Sequence, residues 1–395
     1  MNQIKISRRV RSLEVSPTLA VMMEARKLRQ QGVDLIDFGP GEPDFDTPEP
    51  VGRAAKNAID AGKTHYTDAA GIPELRSAIA RHYADRFGQP VGSDEVLVGC
   101  GAKNLLFLLS LALFDPGDRV ALFSPYWVSF PAQLRLAGAE PVILAAGPAD
   151  GFLPSADLLE KACNEGVRAV ILNSPCNPSG ATIPYREMER FASLVERHDL
   201  LLISDECYEA FYYGSEPVIS FAGFRQRLGD RLVIVNSFSK KFAMTGWRVG
   251  YLLGSAGLLR EVKKLQTHDA THTSSISQWA AVTAIQEGES FVQAMREEFR
   301  SRRDLLLRIL SEIPGVECVP PTGAFYAFPN VEGLYSRFGV SDTRELATLL
   351  IREARIATVP GEAFGCPGHL RISYALAPED LQRGLARLRD LVNSG

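Results

Sequence analysis

The feature that most constrains this chain is an alternation of unbroken apolar runs with helical segments through its middle. Val96-Leu97-Val98 reads as a strand, Ala102 to Leu113 as a helix, and Val120-Ala121-Leu122-Phe123 as the next strand. Val142-Ile143-Leu144, a helix near Ala156 to Cys163 and the strand Ala169-Val170-Ile171-Leu172 continue the series. The helix Arg186 to Arg197 then leads into Leu200-Leu201-Leu202-Ile203. A strand that is apolar at every position, rather than at every second one, is buried on both faces. Such strands separated by helices predict an α/β domain whose sheet is mostly parallel and covered on both sides. The runs Arg231 to Val235 and Val249 to Gly254 extend it, and the expected large domain covers residues 47–279.

The two ends read differently. Ser16-Pro17, Thr18 to Arg29 and Gly32 carry the start and stop marks of a helix, and Leu35 to Phe38 reads as a short strand. The loop Gly39 to Asp46 follows, then helices from Thr47-Pro48 to Gly62 and from Ile72-Pro73 to about Gly88. Beyond the large domain, helical periodicity runs from about Gly257 to Gln286 and from Ser290 to Leu310. Short strands (Ala324 to Phe328, Ile356 to Val359, Leu370 to Tyr374) then alternate with helices at Thr343 to Glu353 and Pro378 to Leu391. At 395 residues the chain exceeds a usual single core. A smaller α+β domain from residues 280–395, joined by 1–46, is the expected partner of the large one.

Bulk properties remove several classes of function. A formal net charge of −4 offers no electrostatic footprint for nucleic acid or an anionic membrane. Cys100, Cys163, Cys176, Cys207, Cys318 and Cys366 form no Cys-x-x-Cys pair. They read as core thiols of a reducing compartment, not as disulfides or metal ligands. Met1 to Arg11 is basic without an apolar stretch, and no run reaches membrane-spanning length, so a cytoplasmic location is expected.

The chemistry concentrates where strands end. Asn236-Ser237-Phe238-Ser239-Lys240-Lys241 and Thr245-Gly246-Trp247-Arg248 lie between two apolar strands. A lysine in an apolar frame, beside hydroxyls and a fixed cation, is how a chain makes an amine nucleophilic near neutral pH. A polar turn between strands is the plainer account of the same residues. Gly99-Cys100-Gly101-Ala102-Lys103 turns a strand into a helix and offers backbone N–H groups to an anion, although glycines often precede helices. Asn177-Pro178-Ser179-Gly180 fits ordinary turn chemistry as well as a ligand loop. Asp205 closes a strand, where parallel sheets bind ligands and where helix caps also occur; Tyr208 follows it. Arg371, inside His369-Leu370-Arg371-Ile372-Ser373-Tyr374, suits an exposed edge or a bidentate carboxylate clamp.

Taken together and in this order, these segments resemble the class I/II aminotransferases of the aspartate aminotransferase type. These are pyridoxal 5'-phosphate enzymes of fold type I. The resemblance runs from Gly39-Pro40-Gly41-Glu42-Pro43-Asp44 to Arg371-Ile372-Ser373-Tyr374, around Ser-Phe-Ser-Lys-Lys-Phe-Ala-Met-Thr-Gly-Trp-Arg-Val-Gly. It implies that Lys240 forms a Schiff base with the cofactor and that Lys241 is a neighbour without chemistry. Ser237, Arg248 and the backbone of Gly101, Ala102 and Lys103 would hold the phosphate. Asp205 would pair with the ring nitrogen, Tyr208 and Asn177 with the phenolic oxygen, and Trp127 would stack on the ring. Tyr66 would reach the cofactor of a partner subunit, which implies a homodimer. Arg371 would grip the substrate carboxylate with Asn177 and the backbone at Gly41.

The implied reaction is transfer of an amino group from an L-amino acid to a 2-oxo acid with ping-pong kinetics. Lys103 stands where an aspartate-accepting subgroup has a lysine facing the distal carboxylate, with Ser16 a helper, which favours aspartate and 2-oxoglutarate. Aromatic or branched amino acids, or prephenate, are alternative substrates; Thr267 to Ser274, with His268 and His272, departs from the expected pattern near the pocket. A lyase on the same fold, eliminating at the β-carbon, would share every cofactor residue. A non-enzymatic regulator would need room for a DNA-binding module before the first helix.

Overall fold

The computed structural model describes residues 4–11, 13, 23, 25, 27–28, 30–215 and 220–394. Ser16 and most of the helix expected over Thr18 to Arg29 lie outside the described residues. The first strand, β1 (Ile36–Asp37), is short. The main sheet has seven strands: β2 (Val96–Gly99), β3 (Arg119–Ser124), β4 (Glu140–Ala145), β5 (Val167–Asn173), β6 (Leu201–Asp205), β7 (Leu232–Ser237) and β8 (Gly250–Leu253). Their order across the sheet is β2-β8-β7-β6-β5-β3-β4. Within this sheet only β8 opposes its neighbours, pairing antiparallel with β2 and β7. The remaining pairs are parallel, so the other strands all end at the same edge.

The unbroken apolar runs are explained by two hydrophobic clusters, one on each face. Leu97, Ile171, Ile203, Val233 and Val235 enter the first, with Leu105 and Leu109 of the helix Ala102–Leu113. Val98, Val170, Leu172, Leu202 and Ile234 enter the second, with Leu75 and Ile79 of the helix Pro73–Phe87 and Phe191 of the helix Tyr185–Arg197. Successive strand residues point to opposite faces, and both faces are dry except at β4, an edge strand whose Ile143 is 44% exposed, contrary to the burial expected of Val142 to Leu144. Burial at about 25 cal/mol per Å2 of apolar surface makes this two-sided packing the main stabilising contribution, and it fixes the sheet edge on which the site is built.

The remaining strands are β9 (Tyr326–Ala327), β10 (Ile356–Ala357), β11 (Val359–Pro360) and β12 (Leu370–Ser373). β12 lies between β11 and β9 and is antiparallel to both, whereas β10 pairs in parallel with β1. Ile36 N–H donates to the Arg355 carbonyl at 2.9 Å and Phe38 N–H to that of Ala357 at 2.8 Å. An early segment of the chain is thus stitched into its last part. The first cluster continues without a break through Phe299 and Phe325 to Leu385 and Val392.

Some elements differ from expectation. The long helix over Gly257 to Gln286 is two helices, Ala256–His268 and Ser275–Glu287. The chain turns between them through Thr271 at φ +61°, and Ser274 caps the second helix by accepting from Ser277 N–H. The apolar run Ile356 to Val359 is split between two sheets. The loop expected after β7 contains a one-turn helix, Phe238–Lys241, and a short turn at Thr245–Trp247. A helix at Ser129–Ala137 gave no clear period in the sequence; Gly138, left-handed at φ +94°, ends it.

Candidate active site

The strand ends at the common edge converge on a cavity of about 320 Å3. Ala102 and Lys103 reach it from the turn after β2, and Trp127 from the loop after β3. Asn177 comes after β5, Tyr208 after β6, and Lys240 and Arg248 after β7. Asp205 and Ser237 are the last residues of β6 and β7 themselves. Arg371, on β12, closes the opposite wall together with Gly39 and Gly41. Gly101 lies directly behind this lining, whereas Tyr66 lies outside the cavity, 90% exposed, with its ring edge-on to His272 at 5.6 Å.

One corner is built for an anion. The helix Ala102–Leu113 begins at Gly101 without a side-chain cap, so its first N–H groups and its positive dipole end face outward. Gly101 adopts φ +83°, and a Cβ there would sit 2.8 Å from Arg248 Nη2. At Gly250 a Cβ would sit 2.6 Å from the backbone N of Ala102. These two glycines let Arg248 and β8 close around the helix terminus. Arg248 itself is exposed, donates from Nη1 to the Thr245 carbonyl at 2.8 Å, and makes no ion pair among the described residues. Ser237 Oγ accepts from Ser239 N–H at 3.0 Å, which brings two hydroxyls to the same corner.

The opposite end carries an acid, two phenols and a second cation. Asp205 is 5% exposed; its Oδ1 accepts from Cys207 N–H at 3.1 Å, and burial pushes its carboxyl up to about 6. Tyr208 Oη lies 3.5 Å from Asn177 Nδ2 and 3.0 Å from Tyr326 Oη. Burial raises the Tyr208 phenol well above its ordinary value, so it stays protonated and can donate. Asn177 is held in turn by Asn173, whose Oδ1 accepts its N–H at 2.8 Å. Arg371, only 4% exposed, donates to Asn177 Oδ1 at 3.0 Å and to the Gly39 carbonyl at 2.5 Å. Its Nε has no partner among the described residues, and burial lowers its pKa. A desolvated guanidinium met by neutral acceptors is a strong attractor for a carboxylate.

Lys240 lies between these ends. Its Nζ donates to the Gly41 carbonyl at 2.5 Å, and burial pushes the amine down to about 8. A usable fraction is therefore neutral, and nucleophilic, near physiological pH. Lys103 places its Nζ 5.0 Å from the centre of the Trp127 ring, and burial, with Arg248 nearby, lowers its pKa. Lys103 makes no ion pair among the described residues, which leaves it available to an acidic ligand.

Tyr326, Gly39, Asn173 and Ser239 also line the cavity, and sequence reasoning did not single them out. Tyr326 lies in Ala324 to Phe328, a run that reads as a strand, but nothing in the sequence sets that strand beside Arg371. Its register partner is Ser373, two residues beyond that arginine, and its ring packs 4.7 Å from the guanidinium. His272 lies near Thr67, whose N–H donates to Nε2 at 3.3 Å; neither His268 nor His272 lines the cavity.

A parallel sheet whose strand ends offer a softened lysine, a buried acid and an anion cradle defines a group-transfer enzyme of fold type I. The chain belongs to the aminotransferase class I and II family, whose model matches residues 33–388. It is 41% identical over 385 residues to the aspartate/prephenate aminotransferase of Thermus thermophilus, covering 97% of each chain. The probable aspartate/prephenate aminotransferase of Aquifex aeolicus is 40% identical over 97% of this chain and 98% of its own. Among solved structures, Thermus thermophilus aspartate aminotransferase with maleate superposes with a TM-score of 0.92 at 40% identity, covering 98% of this chain and 100% of that one. The aspartate aminotransferase of Rhizobium meliloti gives a TM-score of 0.93 at 35% identity over 99% of each. The protein is therefore an aminotransferase.

Proposed function

We propose that this aminotransferase uses pyridoxal 5'-phosphate to move the amino group of L-aspartate to 2-oxoglutarate. One observation carries this: a single cavity holds the anion cradle, Asp205, Lys240 and a second, desolvated cation at Arg371. The donor set suits the cofactor. The uncapped helix terminus with Ser237 and Arg248 matches a phosphate, and Asp205, which has no cationic hydrogen-bond partner among the described residues, matches a protonated ring nitrogen. Tyr208 and Asn177 offer hydrogen bonds to a phenolic oxygen, and Trp127 offers an aromatic face. Bound pyridoxal phosphate supplies a carbonyl that takes up the amino group and a ring that accepts the electron pair left at Cα.

The chain's own residues do the rest. Arg371 clamps the α-carboxylate and, with Asn177, sets the rotation about the substrate's Cα. Lys240 Nζ, softened to about 8, would take the Cα proton of the donor and pass it to the cofactor's former carbonyl carbon, and would carry a proton the opposite way for the acceptor. Lys103 meets the distal carboxylate, which favours four- and five-carbon dicarboxylic acids over apolar ones. The names of the Thermus and Aquifex relatives support a second acceptor, prephenate, whose additional carboxylate suits the same lysine. We further infer a homodimer in which the exposed Tyr66 reaches the partner's phosphate corner. Residues 47–279 would hold the cofactor while 1–46 and 280–395 act together, a division supported by the pairing of β1 with β10.

The test is spectroscopic. Protein mixed with pyridoxal phosphate should develop a visible band that L-aspartate removes and 2-oxoglutarate restores. Double-reciprocal plots in the two substrates should be parallel. No band in the wild-type protein would remove Lys240 from its role. A band removed only by an apolar amino acid would sink the assignment of Lys103.

A further inference from the structure

Behind Lys240, on the side away from the cavity, lies a charged cluster that the proposed reaction does not use. Lys241 is 8% exposed; its Nζ donates to Glu209 Oε1 at 3.3 Å and meets His82 Nε2 at 3.4 Å. The other oxygen of Glu209 pairs with Arg86 Nη1 at 2.5 Å. Both Arg86 and His82 lie on the helix Pro73–Phe87. Burial alone would raise the Glu209 carboxyl, but Arg86 and Lys241 overcome it and hold the group at about 2. Burial, followed by the charge of Lys241, pushes His82 down to about 4, so the ring is neutral at pH 7 and can accept from the ammonium.

Two short turns meet at this cluster. Glu209 opens the turn Glu209–Phe211 directly after Tyr208. Lys241 closes the one-turn helix Phe238–Lys241 directly after Lys240. A single helical turn has no stability of its own, and Ser237 caps only its start. Successive helical residues point about 100° apart, so Lys240 and Lys241 leave the turn in different directions. We infer that the Lys241–Glu209 ion pair ties the turn carrying Lys240 to the turn carrying Tyr208, which makes Lys241 a positioning residue for the Lys240 amine. This rests on the proposed role of Lys240 and adds to it a neighbour that sets where the amine points.

Removal of Lys241 leaves Glu209 still paired with Arg86, so Lys241→Met is expected to fold. The experiment follows capture of pyridoxal phosphate by the cofactor-free chain. Lys240 Nζ adds to the aldehyde carbon, the carbonyl oxygen leaves as water, and the visible band reports the new bond. Tryptophan fluorescence reports binding before that bond forms. Lys241→Met should slow band growth and lower kcat by about tenfold each, while binding by fluorescence and the KM for 2-oxoglutarate change by about twofold or less. Lys241→Arg, which keeps the ion pair, should recover most of both losses. A folded Lys241→Met with wild-type capture and kcat overturns the inference, as does a lowered Tm with neither rate changed. Should that variant fail to fold, Lys241→Gln keeps a donor to Glu209 without the charge, and wild-type rates in it are equally fatal. Failure of the wild-type protein to capture pyridoxal phosphate would instead sink the proposed function, so the two outcomes are distinct.

Discussion

Replacing Arg371 with lysine keeps the charge and removes the fork. In the structure the guanidinium is held from two sides, by Asn177 Oδ1 at 3.0 Å and the Gly39 carbonyl at 2.5 Å. Two rings lie against it, Tyr326 at 4.7 Å and Phe364 at 5.3 Å. A lysine in this slot has no planar face to lay against those rings and three N–H groups to share among four acceptor atoms. It cannot satisfy Asn177, Gly39 and both oxygens of a substrate carboxylate at once. A charge-assisted hydrogen bond lost from the bound substrate costs about 1.5–3 kcal/mol, and an underpaired Asn177 about 1 more. The sum, about 2.5–4 kcal/mol, corresponds to a loss of roughly 70- to 900-fold in kcat/KM for aspartate.

The assay is initial rate against both aspartate and 2-oxoglutarate, with the visible band as a check that the cofactor corner is intact. Both half-reactions should suffer, since each substrate carries an α-carboxylate. The slow reaction of an amine without that group should be unchanged. A loss smaller than about threefold for aspartate, in a variant with a normal band, would refute the assignment of Arg371 as the carboxylate clamp.

Lys240→Met should abolish turnover and the visible band, and it should also change the pH dependence of stability. The amine is pushed down to about 8 in the folded chain, so between there and the ordinary lysine range the unfolded chain holds more protons. Stability of the cofactor-free wild type should thus rise with pH across that window relative to Lys240→Met; parallel urea-midpoint curves would contradict the burial of this amine. Asp205→Asn keeps the shape but removes the charge that would hold the ring nitrogen, and kcat should fall by about 100-fold or more while the band persists; a near-normal kcat would show that another group takes that role. Lys103→Gln should raise the KM for aspartate and 2-oxoglutarate by about tenfold and leave that for an apolar amino acid within about twofold. Equal changes for both substrate types would make Lys103 a structural partner of Trp127 only.

The large sheet was legible because burial on both faces leaves an unmistakable mark: Val96 to Gly99, Val167 to Asn173 and Leu232 to Ser237 carry almost no polar residue before their ends. The cavity-facing Asp205 was legible for the complementary reason, since it is a polar residue where an apolar run stops, and Asn177 and Lys240 stand in the short polar segments that follow such runs. Arg371 was visible as a charge inside a strand. Tyr326 was not, because a tyrosine in a buried strand is ordinary and only its register opposite Ser373 turns it toward Arg371. Gly39 and Asn173 act through backbone and amide groups that composition cannot single out. The break between Ala256–His268 and Ser275–Glu287 was hidden, because the turn between them, Asp269 to Ser274, contains neither glycine nor proline.

The polar residues at the sheet edge fall into two layers. Asp205 faces the cavity while Glu206, next in the chain, turns away and is held by Ser204 Oγ at 2.8 Å, Phe221 N–H at 3.0 Å and Ser220 Oγ at 2.5 Å. Lys240 faces the cavity while Lys241 turns away to Glu209. Glu206 N–H is bonded to the Val235 carbonyl of β7 and Glu209 N–H to the Glu206 carbonyl, so the rear layer is tied directly to the strands that place Asp205 and Ser237. A site whose rate depends on angstrom-scale placement of an amine needs such a layer, because the one-turn helix that carries Lys240 cannot hold itself. Substitutions in the rear layer should then register in rate constants and leave ligand affinity nearly untouched. Those in the front layer, at Arg371 and Lys103, should change affinity and rate together.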